Sequence, residues 1–295
     1  MLSHQENIDK IAMGSVVKAH LMALNPLCLV AILAIFNAIL PALLLSLSEQ
    51  SFSDALLSGF GQSFIIWFSL FVCFQLYFSS SYPKQTGEKF ANWQYLLAFI
   101  LSISLILPFS LSSWIGASIA AFFWQMSLPR SHKKGHLAYS AFLVFALSIR
   151  EPSAQFFLQV MAEQVLALDA QLAFVLLNIF SDQVSLQNNI IVNNEGTNLI
   201  ILTGCSAFGN LSLAILLYLS LKLFWFAKLE KGDLYYTLLL ITLVLLSNSS
   251  RLALMTLSND SYAFIHDGLG ASIFDLTILL IPLAIIIIPS YFRGK

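Results

Sequence analysis

Apolar residues gather into eight runs near helix length: Pro26–Leu47, Phe60–Phe78, Trp93–Pro108, Ser112–Leu128, Leu137–Ile149, Ala207–Ala227, Leu234–Ser249 and Ala271–Tyr291. A helix needs about 20 residues to cross the hydrocarbon core, within a range of about 17–25. The third and fifth runs are shorter and need flanking residues or a partial tilt, so seven or nine spans are the alternatives to eight. Pro41, Pro108 and Pro282 lie in or at the ends of runs, where membrane helices tolerate them.

Between the fifth and sixth runs lies a long mixed stretch, Arg150–Gly204. It opens on Arg150-Glu151-Pro152, a turn signal at a helix end. Gln155, Gln159, Glu163, Gln171, Asn178 and Asp182 then recur at helical spacings and draw a polar stripe along an apolar helix. That pattern predicts a helix lying in the membrane interface with its polar face to water. A ninth span is the alternative, at the cost of placing Glu163 and Asp169 deep in lipid. Val184–Val192 and Thr197–Thr203 read as two strands, joined by a turn at Asn193-Asn194-Glu195-Gly196. The expected fold is an all-α polytopic membrane protein of about eight transmembrane helices, with a small extracytoplasmic hairpin and an interfacial helix. It forms one integral membrane domain over residues 1–295, with 150–204 as its extracytoplasmic segment.

Composition sharpens this picture. The chain is 58% hydrophobic and 10% charged, where a soluble domain carries roughly 25% charge. Its mean hydropathy is +0.83, and it cannot cover a water-facing surface with so few polar groups. The net charge of -1 says nothing about nucleic acid, and no basic cluster suggests it, so no nucleic-acid partner is expected. The polar start, Met1–His20, is followed by an apolar run too long for a signal peptide and without a small-residue cleavage site. With the N-terminus in the cytoplasm, 12 of the 14 Lys and Arg fall in inside segments, including Lys133 and Lys134. Only Arg150 and Arg251 fall outside, so the positive-inside rule favours both termini in.

Candidate chemistry centres on Glu195–Leu219, where a β-prone run meets a membrane helix at Gly204-Cys205-Ser206. Cys28 and Cys73 sit within apolar runs as inert buried thiols. Cys205 is placed where the orphan amides of a helix N-terminus would favour a thiolate. Gly204 and Gly209 leave the backbone room to turn. Arg251 closes a span, and its guanidinium fork could hold a carbonyl oxygen or a carboxylate. His266 precedes the last span and can exchange protons near neutral pH. The two-in topology puts all three on the extracytoplasmic face. Asn248 could orient Arg251, and Asp267 could orient His266. His4, His20, His132 and His136 read as solvated. No phosphate-binding, dinucleotide or metal motif occurs, and the reading requires neither metal nor cofactor.

The order of these features resembles the exosortase/archaeosortase family of membrane cysteine transpeptidases. A long extracytoplasmic segment and strands lead to a Cys at a span's start. Asn248-Ser249-Ser250-Arg251 follows at the end of the next span, and His266 precedes the last. The resemblance covers roughly Gln155–Leu283. Members often carry Cys-Ser-Gly or Cys-Ala-Gly; here the glycine comes two positions later, at Gly209. The resemblance implies Cys205, Arg251 and His266 as the active site of a cysteine protease or transpeptidase. Its partners would be membrane-anchored proteins bearing a C-terminal sorting signal of short motif, apolar helix and basic tail, and a glycan or lipid acceptor. The alternatives are a secondary transporter, with Asp275 as its main intramembrane charge, and a non-catalytic assembly subunit. Gly116-Ala117-x-x-Ala120 is the small-residue face such a subunit would show, but packing of the protein's own spans accounts for it.

Overall fold

The structure, a computed structural model, describes residues 25–80, 90–107, 109–129, 135–179, 184–193 and 198–293. The polar N-terminal tail, the Lys133–Lys134 turn, Asp182 and Asn194–Thr197 lie outside the described residues. Two compact units divide the chain, one of residues 1–151 and 226–228, the other of 152–225 and 229–295.

The first unit holds α1 (Pro26–Glu49), α2 (Phe52–Leu57), α3 (Phe64–Phe78), α4 (Asn92–Ser102), α5 (Ser110–Ser127) and most of α6 (His136–Gln155). Asn25 starts α1 by accepting the Leu27 amide at 2.9 Å, and Pro26 occupies the first helical position, where no donor is missed. The α5 face turned inward mixes small residues with two tryptophans: Gly116, Ala117, Ala120, Ala121, Trp114 and Trp124 are buried, while Ile115, Phe122 and Met126 are exposed. A Cβ at Gly116 would collide with the Ser104 side chain, so the glycine permits this close approach. Small residues at a contact let helices in lipid approach closely, and large apolar residues facing out cost nothing there. Buried Ser69 and Ser118 bond back to the carbonyls of Ile65 and Trp114, at 2.7 and 2.8 Å, which keeps their hydroxyls satisfied without water. Asn37 ties three elements together, donating to the Leu105 carbonyl at 3.2 Å and to Ser113 Oγ at 2.9 Å.

The second unit contains α7 (Ala162–Asn178), a three-stranded antiparallel sheet, α8 (Ala207–Phe226), α9 (Gly232–Met255), α10 (Asn259–His266) and α11 (Leu269–Arg293). The strands β1 (Val184–Gln187), β2 (Ile190–Asn193) and β3 (Leu199–Ile200) pair in the order β1-β2-β3. Helices α8, α9 and α11 share one apolar cluster built on Tyr218, Leu240, Val244, Ile278 and Ile285. A second cluster joins α7, β2, β3, α9 and α10.

The protein is a helical, membrane-embedded one. Among the described residues, five helical stretches are long and apolar enough to cross a membrane: Pro26–Glu49, His136–Val160, Thr203–Phe226, Gly232–Met255 and Leu269–Pro289. Of the other three apolar runs, two form shorter helices, Phe64–Phe78 and Asn92–Leu105, and the third forms the 18-residue α5. The run from Phe60 loses its start to a turn in which Gly59, Phe60 and Gly61 all have positive φ, and Ser63 caps the 15-residue α3 that follows. At about 1.5 Å per residue α3 spans roughly 22 Å, against a core of about 30 Å. α4 tightens into a 3-10 turn at Ile103–Leu105.

Two local expectations are corrected. Arg150-Glu151-Pro152 is no helix end: α6 runs through Pro152 to Gln155 and widens into a π turn at Phe156–Val160. Proline removes one backbone donor, and a membrane helix can absorb that by local widening. The chain breaks only at Met161, with φ -113° and ψ 27°. The stretch Val184–Val192 is not one strand but a hairpin, turning at Asn188-Asn189, where Asn188 adopts φ 53°. Asparagine tolerates the left-handed region, and a two-residue loop of this kind is a favoured hairpin connection.

Candidate functional site

Everything at the candidate site lies in the second unit. β3 delivers the chain to a 3-10 turn, Thr203–Cys205, closed by the Cys205 amide donating to the Leu202 carbonyl at 2.9 Å. Cys205 therefore does not open the helix, as its position suggested. Ser206 is the cap: its backbone is extended, with φ -67° and ψ 141°, and its Oγ accepts the Phe208 amide at 3.2 Å. The Ala207 amide is also occupied, donating to Asp169 Oδ2 at 3.3 Å. Two donors expected to face the sulfur are thus directed to oxygens. The Cys205 side chain is half-buried, packed on the rim of the cluster formed by Leu166, Ala170, Leu252 and Ile265.

Asp169 is the residue that the sequence reading missed. On α7 the face of Glu163, Gln171 and Asn178 is exposed, as the polar stripe predicts. The opposite face buries Leu166, Asp169, Ala170, Ala173 and Leu177, so one carboxylate lies in an apolar row, 3% exposed. Burial raises its pKa above the ordinary carboxylate value, opposed by hydrogen bonds from the Ser206 hydroxyl and the Ala207 amide. A charged residue on the apolar side of an amphipathic helix was the available signal.

Helix α9 continues one turn beyond Arg251, to Met255. Asn248 and Arg251, three apart, share a face. Asn248 is 2% exposed, and its Nδ2 donates to the Cys205 carbonyl at 3.1 Å. That bond fixes the Cys205 backbone to α9, where the sequence had suggested that Asn248 orients Arg251. The Arg251 Nε is buried and has no hydrogen-bond partner, and the same is true of Ser247 Oγ one turn earlier. Unsatisfied buried polar atoms are uncommon; among the described residues Arg150 Nε and Gln94 Oε1, both in the first unit, are in the same state.

His266 ends the short helix α10 and is exposed. Its ring stacks on Tyr262, with centroids 5.0 Å apart and planes at 9°. Nδ1 meets Asp267 Oδ1 at 2.7 Å. An Nδ1–H donated to Asp267 leaves Nε2 as an acceptor for a proton. No hydrogen bond joins His266 to the Cys205 thiol. The structure links Cys205 to Asn248 directly, and it brings the α10 residues Ile265 and Tyr262 to the same apolar cluster as Cys205.

Asn193 anchors the sheet to this site, its Nδ2 donating to the Thr256 carbonyl at 2.8 Å, just past the end of α9. Asn189 extends the β2–β3 pairing, accepting the Ile201 amide at 2.9 Å and returning its side-chain amide to the Ile201 carbonyl at 2.8 Å. Phe208, in the first turn of α8, packs on Phe157 with ring centroids 4.8 Å apart. Among the described residues, no group of three or more His, Cys, Asp or Glu could hold a metal ion. Compared with known proteins, the chain matches no family model, no curated protein and no solved structure.

Proposed function

We propose that the protein is a membrane cysteine peptidase or transpeptidase of exosortase type, acting on membrane-anchored targets with a C-terminal sorting signal. One observation carries the reading. Asn248 holds the Cys205 backbone to α9, and one turn further along the same helix face Arg251 keeps a buried donor without a partner. A half-buried thiol whose backbone is bonded to α9, and a guanidinium one turn along that helix with an Nε to spare, would suit a carbonyl that becomes an oxyanion.

In this reading the Cys205 thiol gives its proton to His266 Nε2, and the sulfur attacks the scissile carbonyl carbon. The oxygen gains negative charge against the Arg251 guanidinium. The C–N bond breaks, the leaving amine takes the proton back from His266, and a thioester remains on Cys205. An amine or hydroxyl of a glycan or lipid acceptor, or water, then attacks the thioester and releases the thiol. Asp267 holds the ring in the tautomer that this cycle needs. His266 has to close on Cys205 when a target binds, since catalytic hydrogen bonds often form only in the bound complex.

The topology proposed with this function has eight spans, with α3, α4 and α5 crossing as well. Both termini are cytoplasmic and residues 161–202, between two of the crossing helices, are extracytoplasmic, with the site at the outer boundary. Labelling of single cysteines with a membrane-impermeant maleimide tests it, in a chain whose native cysteines are replaced. Gln187→Cys, exposed at the hairpin, should react in intact cells. Lys231→Cys, exposed between α8 and α9, should react only after permeabilisation. The reverse pattern would put the site in the cytoplasm and remove the extracytoplasmic sorting role.

A further inference from the structure

We propose that Asp169 is the positioning residue of Cys205: its carboxylate clamps Ser206 and Ala207, the two residues that follow the thiol, and thereby sets the direction in which the sulfur is presented. The inference rests on Cys205 as the nucleophile, and it names a residue that neither the motif nor the spacing of Cys205, Arg251 and His266 contains.

Geometry supports it at three points. Asp169 Oδ2 accepts the Ala207 amide at 3.3 Å, across 38 residues of sequence. The Ser206 hydroxyl bonds to the same carboxylate and also accepts the Phe208 amide, so cap and clamp form one network. The carboxylate sits among Leu166, Ala170 and Ala173, where an apolar side chain would cost far less. With Asn248 on the Cys205 carbonyl, the junction is held from both sides, by α7 after the thiol and by α9 at it. Asp169 touches no reacting atom in this arrangement; it acts through the backbone.

The full chain in detergent, carrying Cys28→Ala and Cys73→Ala, leaves one thiol to follow with N-ethylmaleimide. Asp169→Ala should release the junction and raise the alkylation rate about fivefold, the population change expected from losing one helix cap. The same variant should slow target processing, because a thiol that is easier to reach is worse aimed. Asp169→Asn keeps an oxygen for the Ala207 amide and should stay within about twofold of the parent in both measurements. Should Asp169→Ala fail to fold, Ser206→Ala removes one arm of the clamp and is judged by the same rate. An unchanged alkylation rate in the folded variant overturns the proposal. So does an Asp169→Asn protein that alkylates as fast as Asp169→Ala, which would make charge rather than position the cause. Cys205→Ala run in parallel separates the two ideas: if it processes normally the enzyme reading fails, while the alkylation rates still decide whether Asp169 holds the junction.

Discussion

Cys205→Ala should stop processing of the target altogether, with the uncleaved protein accumulating in the membrane with its C-terminal helix attached. The thiol is the only group at the site able to form a thioester, and removing a nucleophile of this kind costs on the order of 10⁴–10⁶ in kcat. Fold and insertion should survive. The side chain is half-buried at the rim of its cluster, its backbone bonds are independent of the side chain, and a change at such a position is worth within about 1 kcal/mol. Cys205→Ser should be nearly as inactive, because a hydroxyl is a far weaker acid than a thiol. Cys28→Ala and Cys73→Ala remove thiols buried in the other unit and should process normally. Arg251→Lys keeps the charge but not the fork, so it should be impaired by less than the roughly 10²–10³-fold that losing an oxyanion donor outright costs. A blot of one sorted target in cells carrying each variant reads all of these. Normal processing by Cys205→Ala at normal expression would falsify the peptidase reading.

Asp233→Ala should be the most destabilising substitution in the second unit, by about 3–5 kcal/mol. Asp233 is 7% exposed in the first turn of α9. One oxygen meets Lys222 Nζ at 2.9 Å and accepts the Tyr218 hydroxyl at 2.9 Å, while the other accepts the Glu230 amide at 2.6 Å. Removing the carboxylate takes this close counter-charge from the half-buried Lys222 ammonium on α8 and the acceptor from the buried Tyr218 phenol. Desolvation of such a pair is already met in the folded state, so the loss falls almost wholly on the partner left behind. The double variant Lys222→Met, Asp233→Leu removes both charges and should recover most of the loss. Tyr218→Phe, which leaves the ion pair standing, should cost about 1 kcal/mol. Unfolding in mixed micelles by titration with a denaturing detergent measures each. A double variant no more stable than Asp233→Ala would show that the pair's geometry, rather than its unpaired charge, sets the cost.

Each of the eight apolar runs falls on a helix, five of them long and apolar enough to cross a membrane, because burial in lipid leaves an unbroken hydrophobic record in the chain. Their ends were harder to read. Phe60 begins a run but not a helix, since the glycines on either side of it set the backbone, and a hydropathy pattern carries no φ. Pro152 looked like a stop because proline ends helices in water; inside a membrane helix the lost hydrogen bond has no competing water, and the helix carries on. Asn188-Asn189 carried the hairpin signal in plain view, hidden within an otherwise strand-like run. Cys205, Asn248, Arg251 and His266 stood out as candidates because each is an unusual residue near the end of an apolar run. Asp169 could not be tied to Cys205, 36 positions later, because only the folding of α7 against α9 and the sheet brings them together. The Asn248 bond to a backbone carbonyl was likewise invisible, for the backbone is the same at every residue.

Helix α9 holds the segment between β2 and the thiol at two points: Asn193 on the Thr256 carbonyl and Asn248 on the Cys205 carbonyl. The two points lie eight residues apart on or just past one helix, roughly 12 Å along its axis. Asn193 and Cys205 are therefore pinned to a single rod. A rod that turns or slides carries both fixings with it, so the end of β2 and the backbone of Cys205 keep their spacing. Any motion of this helix would move the thiol as cargo, in step with the edge of the sheet.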